Sequence, residues 1–331
     1  RGWSGTLAPM QSLFVVVSRD DAQLGRLDSL SLTSPESVEE TLLGGVWEFK
    51  PLGANMVLLD TAIRPDPQAV GDAQGWRTGR GDWLPTVQGR TEIKLDPDEM
   101  AYFWLRAEVD LAIAPADLEL VLDSQDYGQV YVNGFAVSGG HAVTLWDEGN
   151  WALPIKDYVL RGRNVIVLRC RPSKYYAERV AGNIINPYDI EPLVLQGSFA
   201  AFAQVDGCYL VAPETGEVRL GAWESQGYPA FSGTGEYRRR FELSDLTGRA
   251  WLVLDDVRQV AEVIVNGERV GVQPWAPYEF EITRFLRTGQ NELVVRVTGN
   301  FGNLIRQSYT GLISHPVLSG LVGKARLVRV P

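Results

Sequence analysis

Apolar residues recur along this chain mainly at every second position, or in short continuous runs rich in β-branched side chains. Such runs occupy residues 13–18, 46–50, 102–111, 118–122, 129–132, 165–169, 237–243, 251–254, 261–265, 292–297 and 325–330. Clusters of Gly, Pro, Asn and Asp separate them, as expected for turns between strands. Residues 35–43 are the best match to a helical pattern, with Ser34 in position to cap it. The pattern as a whole predicts an all-β protein of sandwich type.

One strand-and-turn pattern occurs twice. Residues 118–134 align without a gap on residues 251–267, at a constant spacing of 133 residues. Each copy places an Asn-Gly pair after a β-branched strand, and Asn-Gly favours a tight hairpin because both residues tolerate positive φ. Each copy also continues into a Gly-x-Asn segment and a further strand, at 162–167 and 289–294. The repeat predicts two similarly folded sandwiches in tandem.

The repeat also suggests how the chain is divided. Residues 1–40 contain one strand pattern and nothing that is repeated, so we interpret them as the end of an upstream β domain followed by a linker. Residues 41–200 are predicted to form the first sandwich, and residues 201–331 the second.

The composition of the chain argues against some classes of binding partner. The chain has 331 residues, enough for two or three domains, and its 31 basic and 41 acidic residues give a net charge of −10. An acidic chain repels phosphate backbones and anionic lipid, so neither nucleic acid nor a membrane surface is expected as a partner. The longest purely aliphatic or aromatic run, residues 13–17, is far shorter than the roughly 20 residues of a membrane span.

Cysteine usage and processing signals leave alternatives open. Cys170 and Cys208 are the two cysteines, which could form one bridge or remain as buried thiols. The chain opens with Arg1, which suggests a processed piece of a longer polypeptide. The absence of any Asn-x-Ser/Thr site argues against eukaryotic secretion and leaves bacterial export, to the periplasm or outside the cell, open.

A set of short motifs between residues 226 and 297 resembles a known family. The motifs lie at 235–241, 253–257, 263–267, 270–271, 277–283 and 289–293. Their order resembles the galactose-binding-like jelly-roll domain, the sugar-binding domain of glycoside hydrolase family 2. Residues 226–234 are similar to the strand that leads into this domain in α-L-rhamnosidase-like hydrolases, and residues 47–49 and 195–199 are similar to the borders of the domain before it. Glu281-Ile282-Thr283 stands where Asp-Ile-Thr is typical.

The resemblance implies a fold and a setting. It implies two galactose-binding-like jelly rolls, which in that family flank a separate (β/α)₈ catalytic domain. The chain has no eightfold alternation of strands and helices over the ~250 residues of such a barrel, so we expect the catalytic domain to lie upstream of Arg1. This chain itself would then be non-catalytic and would require no cofactor.

Loop aromatics are the candidate sugar-binding residues. A sugar presents an apolar C–H face and a ring of hydroxyls, so its site needs an aromatic platform and a few polar groups. Trp146 and Trp151 follow the first Asn-Gly hairpin, and Trp275 and Tyr278 follow the second. The alternative is that these four aromatics pack on the sandwich edge or against a neighbouring domain.

Acidic residues suggest two further kinds of site. Jelly-roll domains of this kind often hold a structural calcium ion, and the carboxylates of Asp123 and Asp126 lie near loops that could supply its oxygen ligands. Glycoside hydrolysis needs two carboxyl groups ~5–9.5 Å apart. Asp255 and Asp256 are adjacent on a predicted strand, where neighbouring side chains point to opposite faces, so we do not expect them to form such a pair.

Two functions follow from the sequence. The first is a non-catalytic region of a multidomain glycoside hydrolase that braces the catalytic domain and holds carbohydrate weakly. The second is a purely structural or interaction module without affinity for sugar.

Overall fold

A computed structural model of the chain describes residues 38–85, 101–123, 128–146, 148–171, 193–304 and 317–330. The predicted strand at 13–18 and almost all of the predicted N-terminal region lie outside these ranges. None of the helices in the described ranges is long and apolar enough to cross a membrane.

The described residues are mainly strands, as the alternating pattern predicts. In chain order these are β1 (Glu39–Leu42), β2 (Val46–Pro51), β3 (Asn55–Leu59), β4 (Thr61–Asp66), β5 (Leu84–Pro85), β6 (Tyr102–Leu111), β7 (Glu119–Leu122), β8 (Gln129–Val132), β9 (Phe135–Ala136), β10 (His141–Ala142), β11 (Trp151–Pro154), β12 (Gly162–Cys170) and β13 (Leu193–Gly197). They continue as β14 (Ala200–Ala203), β15 (Tyr209–Ala212), β16 (Glu217–Arg219), β17 (Thr234–Leu243), β18 (Arg249–Leu254), β19 (Val257–Arg258), β20 (Val260–Val265), β21 (Glu268–Gln273), β22 (Tyr278–Glu281), β23 (Gly289–Thr298), β24 (Gly320–Leu321) and β25 (Ala325–Val330). Short 3₁₀ turns lie at Trp76–Thr78, Lys156–Tyr158, Trp223–Gln226 and Thr283–Phe285.

Two sheets face each other in what we call sandwich 1, made of β3 to β15. One sheet has the order β10-β11-β7-β13-β3, and the other runs β14-β15-β6-β12-β8-β9 with β4 and β5 attached through β6. Alternate residues of both sheets fill the space between them, including Leu105, Leu120, Ile166 and Leu195, none of which is exposed. This is the arrangement that period-two alternation predicts for a sandwich core.

Sandwich 2 repeats this arrangement with β1, β2 and β16 to β25. Its sheets have the orders β1-β25-β18-β22 and β16-β2-β17-β23-β20-β21, and β19 pairs with β24. The core between them contains Trp47, Trp223, Tyr237 and Leu252, all fully buried. The predicted all-β fold with two sandwiches is confirmed.

Strand pairing nests one sandwich inside the other. β1 and β2 precede sandwich 1 in the chain, yet β1 pairs with β25 and β2 pairs with β16 and β17. Sandwich 1 therefore begins after Pro51 and returns at Ala212, between two strands that are neighbours in sandwich 2. The predicted division at residues 41 and 201 remains a prediction for independently folding units, but the sheets group residues 39–51 with the second sandwich and residues 200–212 with the first.

The end of the predicted helix at 35–43 is a strand. Residues 39–42 form β1, an edge strand whose four side chains are exposed. Glu39 forms an ion pair with Arg329 of β25, and Glu40 forms one with Arg326. This pairing across the length of the chain overrides the local helical pattern.

Each sandwich locks its hairpin with a pair of asparagines, one half-buried and one fully buried. Asn133 and Asn266 open the two Asn-Gly turns with φ of 53° and 51°. The side-chain amide of Asn133 donates to Asn164 Oδ1 at 2.8 Å, and that of Asn266 donates to Asn291 Oδ1, also at 2.8 Å. Asn164 and Asn291, both fully buried, in turn bond the backbone of the turn that precedes them. The same network thus ties the Asn-Gly hairpin to the Gly-x-Asn turn in both copies of the repeat.

The repeat holds in three dimensions with one correction of register. In sandwich 1, Leu122 lies opposite Trp151, whereas in sandwich 2 Leu254 lies opposite Tyr278. Leu122 therefore corresponds to Leu254, one residue earlier than the ungapped alignment places it. Because the Asn-Gly turns do match without a gap, the segment from this strand end to the Asn-Gly turn is one residue longer in sandwich 2.

A third apolar cluster joins the two sandwiches. The outer face of the β3-β13-β7-β11 sheet contributes Met56, Leu58, Val121, Ala152 and Val194, which pack with Ala230 and Leu304 from the sandwich 2 part of the chain. The fully buried Asn55 adds two hydrogen bonds of 2.8 Å, from Nδ2 to the carbonyls of Phe199 and Gly227. The contact between the sandwiches therefore combines apolar packing with directional hydrogen bonds.

We expect Asn291→Ala to lower the free energy of unfolding by about 1–3 kcal/mol, because it leaves buried backbone groups of the turn without partners. Asn164→Ala should have an effect of similar size, since the network is the same. Urea unfolding followed by tryptophan fluorescence measures both. Gln290→Ala, at the exposed neighbouring position, is the control and should change little. Equal stability of the Asn291 variant and the control would contradict the role assigned to the pair.

Candidate functional site

Trp146 lies at the contact between the sandwiches. Its indole Nε1 donates to Asp123 Oδ1 at 3.0 Å, and its backbone N–H donates to Asn150 Oδ1 at 2.9 Å. The half-buried ring packs against the apolar cluster that joins the two sandwiches. Its polar group is thus already used, while part of its surface still faces solvent.

Trp151 lies on β11 and packs against the core of sandwich 1 with its ring half-buried. The backbone of Gly140 runs directly over this ring, since a Cβ built on Gly140 would lie 2.0 Å from Trp151 Nε1. Any larger residue at position 140 would displace the indole. One face of the ring is therefore covered by the chain itself.

Trp275 and Tyr278 belong to sandwich 2 and differ in exposure. Trp275 is half-buried in the bend between β21 and β22. Tyr278 is 7% exposed, lies in the core, and its hydroxyl donates to the carbonyl of Gln259. Burial raises the pKa of Tyr278, and the charge of Asp256 raises it further. This hydroxyl is a structural donor.

The four aromatics do not converge on one place. Trp146 and Trp151 belong to sandwich 1, Trp275 and Tyr278 to sandwich 2. Trp151 and Tyr278 occupy equivalent positions, because each begins the strand that pairs with β7 or β18. The sequence thus identified matched positions of the repeat, and whether any of them binds sugar stays a prediction.

The predicted calcium ligands are placed only in part. Asp123 is half-buried at the end of β7, and its carboxylate accepts the indole N–H of Trp146. Asp126 lies outside the described residues. Within the described ranges, no group of three or more His, Cys, Asp or Glu side chains is arranged to hold a metal ion. A calcium site here remains a prediction.

Asp255 and Asp256 are held by different arginines. Asp255 Oδ1 lies 2.6 Å from Arg326 Nη2, and Asp256 Oδ1 lies 2.8 Å from Arg258 Nε. Each carboxylate is thus committed to its own guanidinium, and the arrangement fits an ion-paired surface.

A ladder of ion pairs crosses the outer face of the sandwich 2 sheet. Neighbouring members lie 2.6–3.6 Å apart, in the order Arg269, Glu262, Arg296, Glu236, Arg238, Glu292 and Arg240. Burial alone would raise the pKa of Glu236, but hydrogen bonds from Arg296 and Arg238 outweigh burial and hold that pKa below its usual range. The charged side chains of the ladder are thus paired with one another.

Sandwich 1 treats the equivalent sheet face differently. Trp104 and Tyr131 stack there at 6.1 Å between ring centroids, and Trp76 covers them from the segment between β4 and β5. We call this segment, residues 67–83, the Trp76 loop. The sequence pattern does not place Trp76 and Trp83, because loop tryptophans carry no periodicity that would show which surface they cover.

His141 and both cysteines lie within the described residues. His141 is exposed, 3.6 Å from Glu119. Cys170 and Cys208 are both buried as free thiols, and burial raises the pKa of each. His315 lies outside the described residues.

A surface depression of about 410 Å³ lies at the hairpin end of sandwich 2. Its lining is polar and charged: Arg240, Asn266, Gly267, Arg287, Gln290, Asn291 and Glu292. None of the four candidate aromatics lines it, and its two asparagines already bond each other.

Comparison with known proteins places part of the chain in a family context. Residues 231–311 match the family described as glycosyl hydrolase 2 galactose-binding domain-like. Two putative beta-glucuronidases of Formosa agariphila are similar to the chain, one 37% identical over 86 residues and the other 33% identical over 85 residues. The matched stretch covers 25% and 24% of this chain but 7% and 8% of those proteins. The resemblance to the sugar-binding domain of glycoside hydrolase family 2 is confirmed.

Solved structures give weaker likenesses. A rhamnosidase from Novosphingobium sp. PP1Y is 22% identical, with 70% of this chain and 22% of that chain covered and a TM-score of 0.32. A beta-glucuronidase from Ruminococcus gnavus is 14% identical, with 81% of this chain and 44% of that chain covered and a TM-score of 0.28.

We expect the ladder to stabilise the fold at neutral pH and to lose this effect in acid. Glu236 has a lowered folded pKa, so its contribution is present above its unfolded pKa of about 4.3 and disappears as the pH falls through the folded value. Glu236→Gln should therefore cost about 1 kcal/mol at pH 7 and progressively less below pH ~4. Urea unfolding at pH 7 and below pH ~4 measures the difference in unfolding free energy, with exposed Glu268→Gln as the control. A deficit that is independent of pH would contradict it.

Proposed function

We propose that this chain is a non-catalytic, carbohydrate-binding-like region of a multidomain glycoside hydrolase. The observation that carries the proposal is the galactose-binding-like match over residues 231–311, combined with the small share of the matched relatives that it covers. Such a share leaves most of a relative's length for other domains. The catalytic domain would then be a further part of the same polypeptide.

The structure supports a bracing role for this region. The apolar cluster around Val121 and Val194, with Ala230 and Leu304, holds the two sandwiches against each other. Sandwich 1 is also tethered at both ends to adjacent strands of sandwich 2. A pair joined in this way can present a fixed surface to a catalytic domain, whereas two sandwiches on a single flexible linker would reorient.

Weak sugar binding is the second part of the proposal. Trp146 and Trp275 are the better candidates, because both rings are half-buried and retain some exposed surface. Trp151 offers one face at most, and Tyr278 would have to leave the core. The proposed ligand is an oligosaccharide whose C–H face stacks on one of the two indoles.

A purely structural module is the competing function. It is favoured by the hydrogen bond from Trp146 to Asp123 and by the burial of Tyr278, which give two of the four aromatics a role in packing. In this case the chain would contact other protein domains and would show no response to glycans.

Glycan titration followed by tryptophan fluorescence distinguishes the two. We expect neutral oligosaccharides to change the emission of the wild-type chain, and Trp275→Ala or Trp146→Ala to weaken that response about fivefold or more. Trp146→Phe keeps a ring in the interface if the alanine variant is unstable. Phe135→Ala removes an aromatic side chain that is 67% exposed and serves as the control.

The outcomes decide between the proposals. No response to any glycan favours the structural module. We also expect the purified chain to leave aryl glycosides intact, and their hydrolysis would overturn the non-catalytic assignment.

A further inference from the structure

Three arginines lie in or beside the Trp76 loop. Arg64 lies on β4 opposite Trp104, and its guanidinium carbon lies 3.8 Å from the centre of the Trp76 ring. Arg77 and Arg80 follow in the loop and are exposed. In the part of the chain that the structure describes, none of the three forms an ion pair. We call Arg64, Arg77, Arg80 and Trp83 the arginine patch.

Stacking prepares Arg64 to receive an anion. A guanidinium that lies over an aromatic face is fixed in orientation, yet its N–H groups point outward in the ring plane and stay free to donate. In the described ranges Arg64 makes no side-chain hydrogen bond, so its rigid fork of donors is uncommitted. Such a fork matches the two oxygens of a carboxylate or a sulfate.

The backbone of Gly81 lies directly against one edge of the Arg64 guanidinium. A Cβ built on Gly81 would lie 2.3 Å from Arg64 Nη1, and the φ of Gly81 is +102°. Gly79, two residues earlier, is pressed in the same way against Arg106, with 3.1 Å between its hypothetical Cβ and Nε. That Nε is buried and has no hydrogen-bond partner. The loop therefore brings its backbone directly against two guanidinium groups.

Nearby acids do not neutralise the patch. Asp66 accepts hydrogen bonds from Trp104 Nε1 and from the backbone of Val70 and Gly71. Asp72 forms an ion pair with Arg169. Asp82, beside Gly81, is the remaining acid of the loop, so the patch keeps a positive excess on a chain whose net charge is −10.

We propose that the arginine patch binds an anionic sugar residue through its carboxylate or sulfate group. Arg64 and Arg80 receive the anion, and the half-buried indole of Trp83 contacts the sugar ring. Trp83 is held for this by the hydrogen bond of 2.9 Å from its Nε1 to the carbonyl of Gly79. That a sugar carries the anion rests on the proposed function, whereas the anion site itself rests on the geometry of Arg64 and Gly81.

Calorimetric titration of the whole chain tests the patch with three probes: a galacturonate oligosaccharide, a sulfated galactose oligosaccharide and a neutral galactose oligosaccharide. We expect at least one anionic probe to bind and to lose affinity about fivefold or more in Arg64→Gln and in exposed Arg80→Gln. Asp82→Asn should tighten binding by removing a like charge, and added salt should weaken it. Arg269→Gln, an exposed arginine of sandwich 2, is the control.

The results separate this site from the proposed function. Binding of a carboxylated or a sulfated probe alone identifies the anion. Unchanged affinity in both arginine variants, or no binding of either anionic probe, overturns the patch. Equal binding of the neutral probe that is lost in Trp146→Ala would also overturn it while supporting the proposed function.

Discussion

The hydrogen-bonded asparagine pair is the constraint on which both sandwiches depend. An Asn-Gly hairpin and a Gly-x-Asn turn are each common and each marginal alone, but a hydrogen bond of 2.8 Å between the two amides ties them together in both copies. The second asparagine also satisfies the backbone of its own turn. Because an unpaired amide in a core is costly, neither member of a pair tolerates loss of the other. The pair thus fixes where two strands end relative to each other, and the register of the core follows.

Local patterns predicted the strands well, because successive residues of a half-buried strand face the core and the solvent in turn and therefore alternate between apolar and polar types. The two asparagine turns were equally accessible, since Asn-Gly has a specific conformational reason to recur. The partners of β1 and β2 were not accessible, because pairing between Glu39 and Arg329 leaves no local trace in either segment. The helical pattern at 35–43 misled for the same reason. Trp104 lies inside a predicted strand and is fully buried, but on the outer face of its sheet, under a loop that the local pattern could not place.

The outer face of the equivalent sheet differs between the two sandwiches: it is covered by a loop in sandwich 1 and exposed to water in sandwich 2. In sandwich 1, aromatic side chains on the outer face require a cover, and the Trp76 loop supplies it. In sandwich 2, arginines and glutamates occupy the same face and neutralise each other in water. The candidate aromatics were harder to interpret, because a loop tryptophan that packs on an edge and one that stacks on a sugar have the same sequence signature. Only contacts such as that from Trp146 to Asp123 separate these roles.

The nesting of one sandwich within the other also sets an order of events as the chain emerges from the ribosome. Every strand of sandwich 1 has been synthesised once Ala212 is added, so all of these strands can pair with one another at that point. β1 and β2 were made earlier still, yet β17 and β25 come much later. Trp47 and Phe49 therefore stay unburied until the later strands of sandwich 2 have been made. Non-local closure of this kind is slow and leaves apolar strands available to wrong partners, so the period before β25 is made is when this protein is most vulnerable to aggregation.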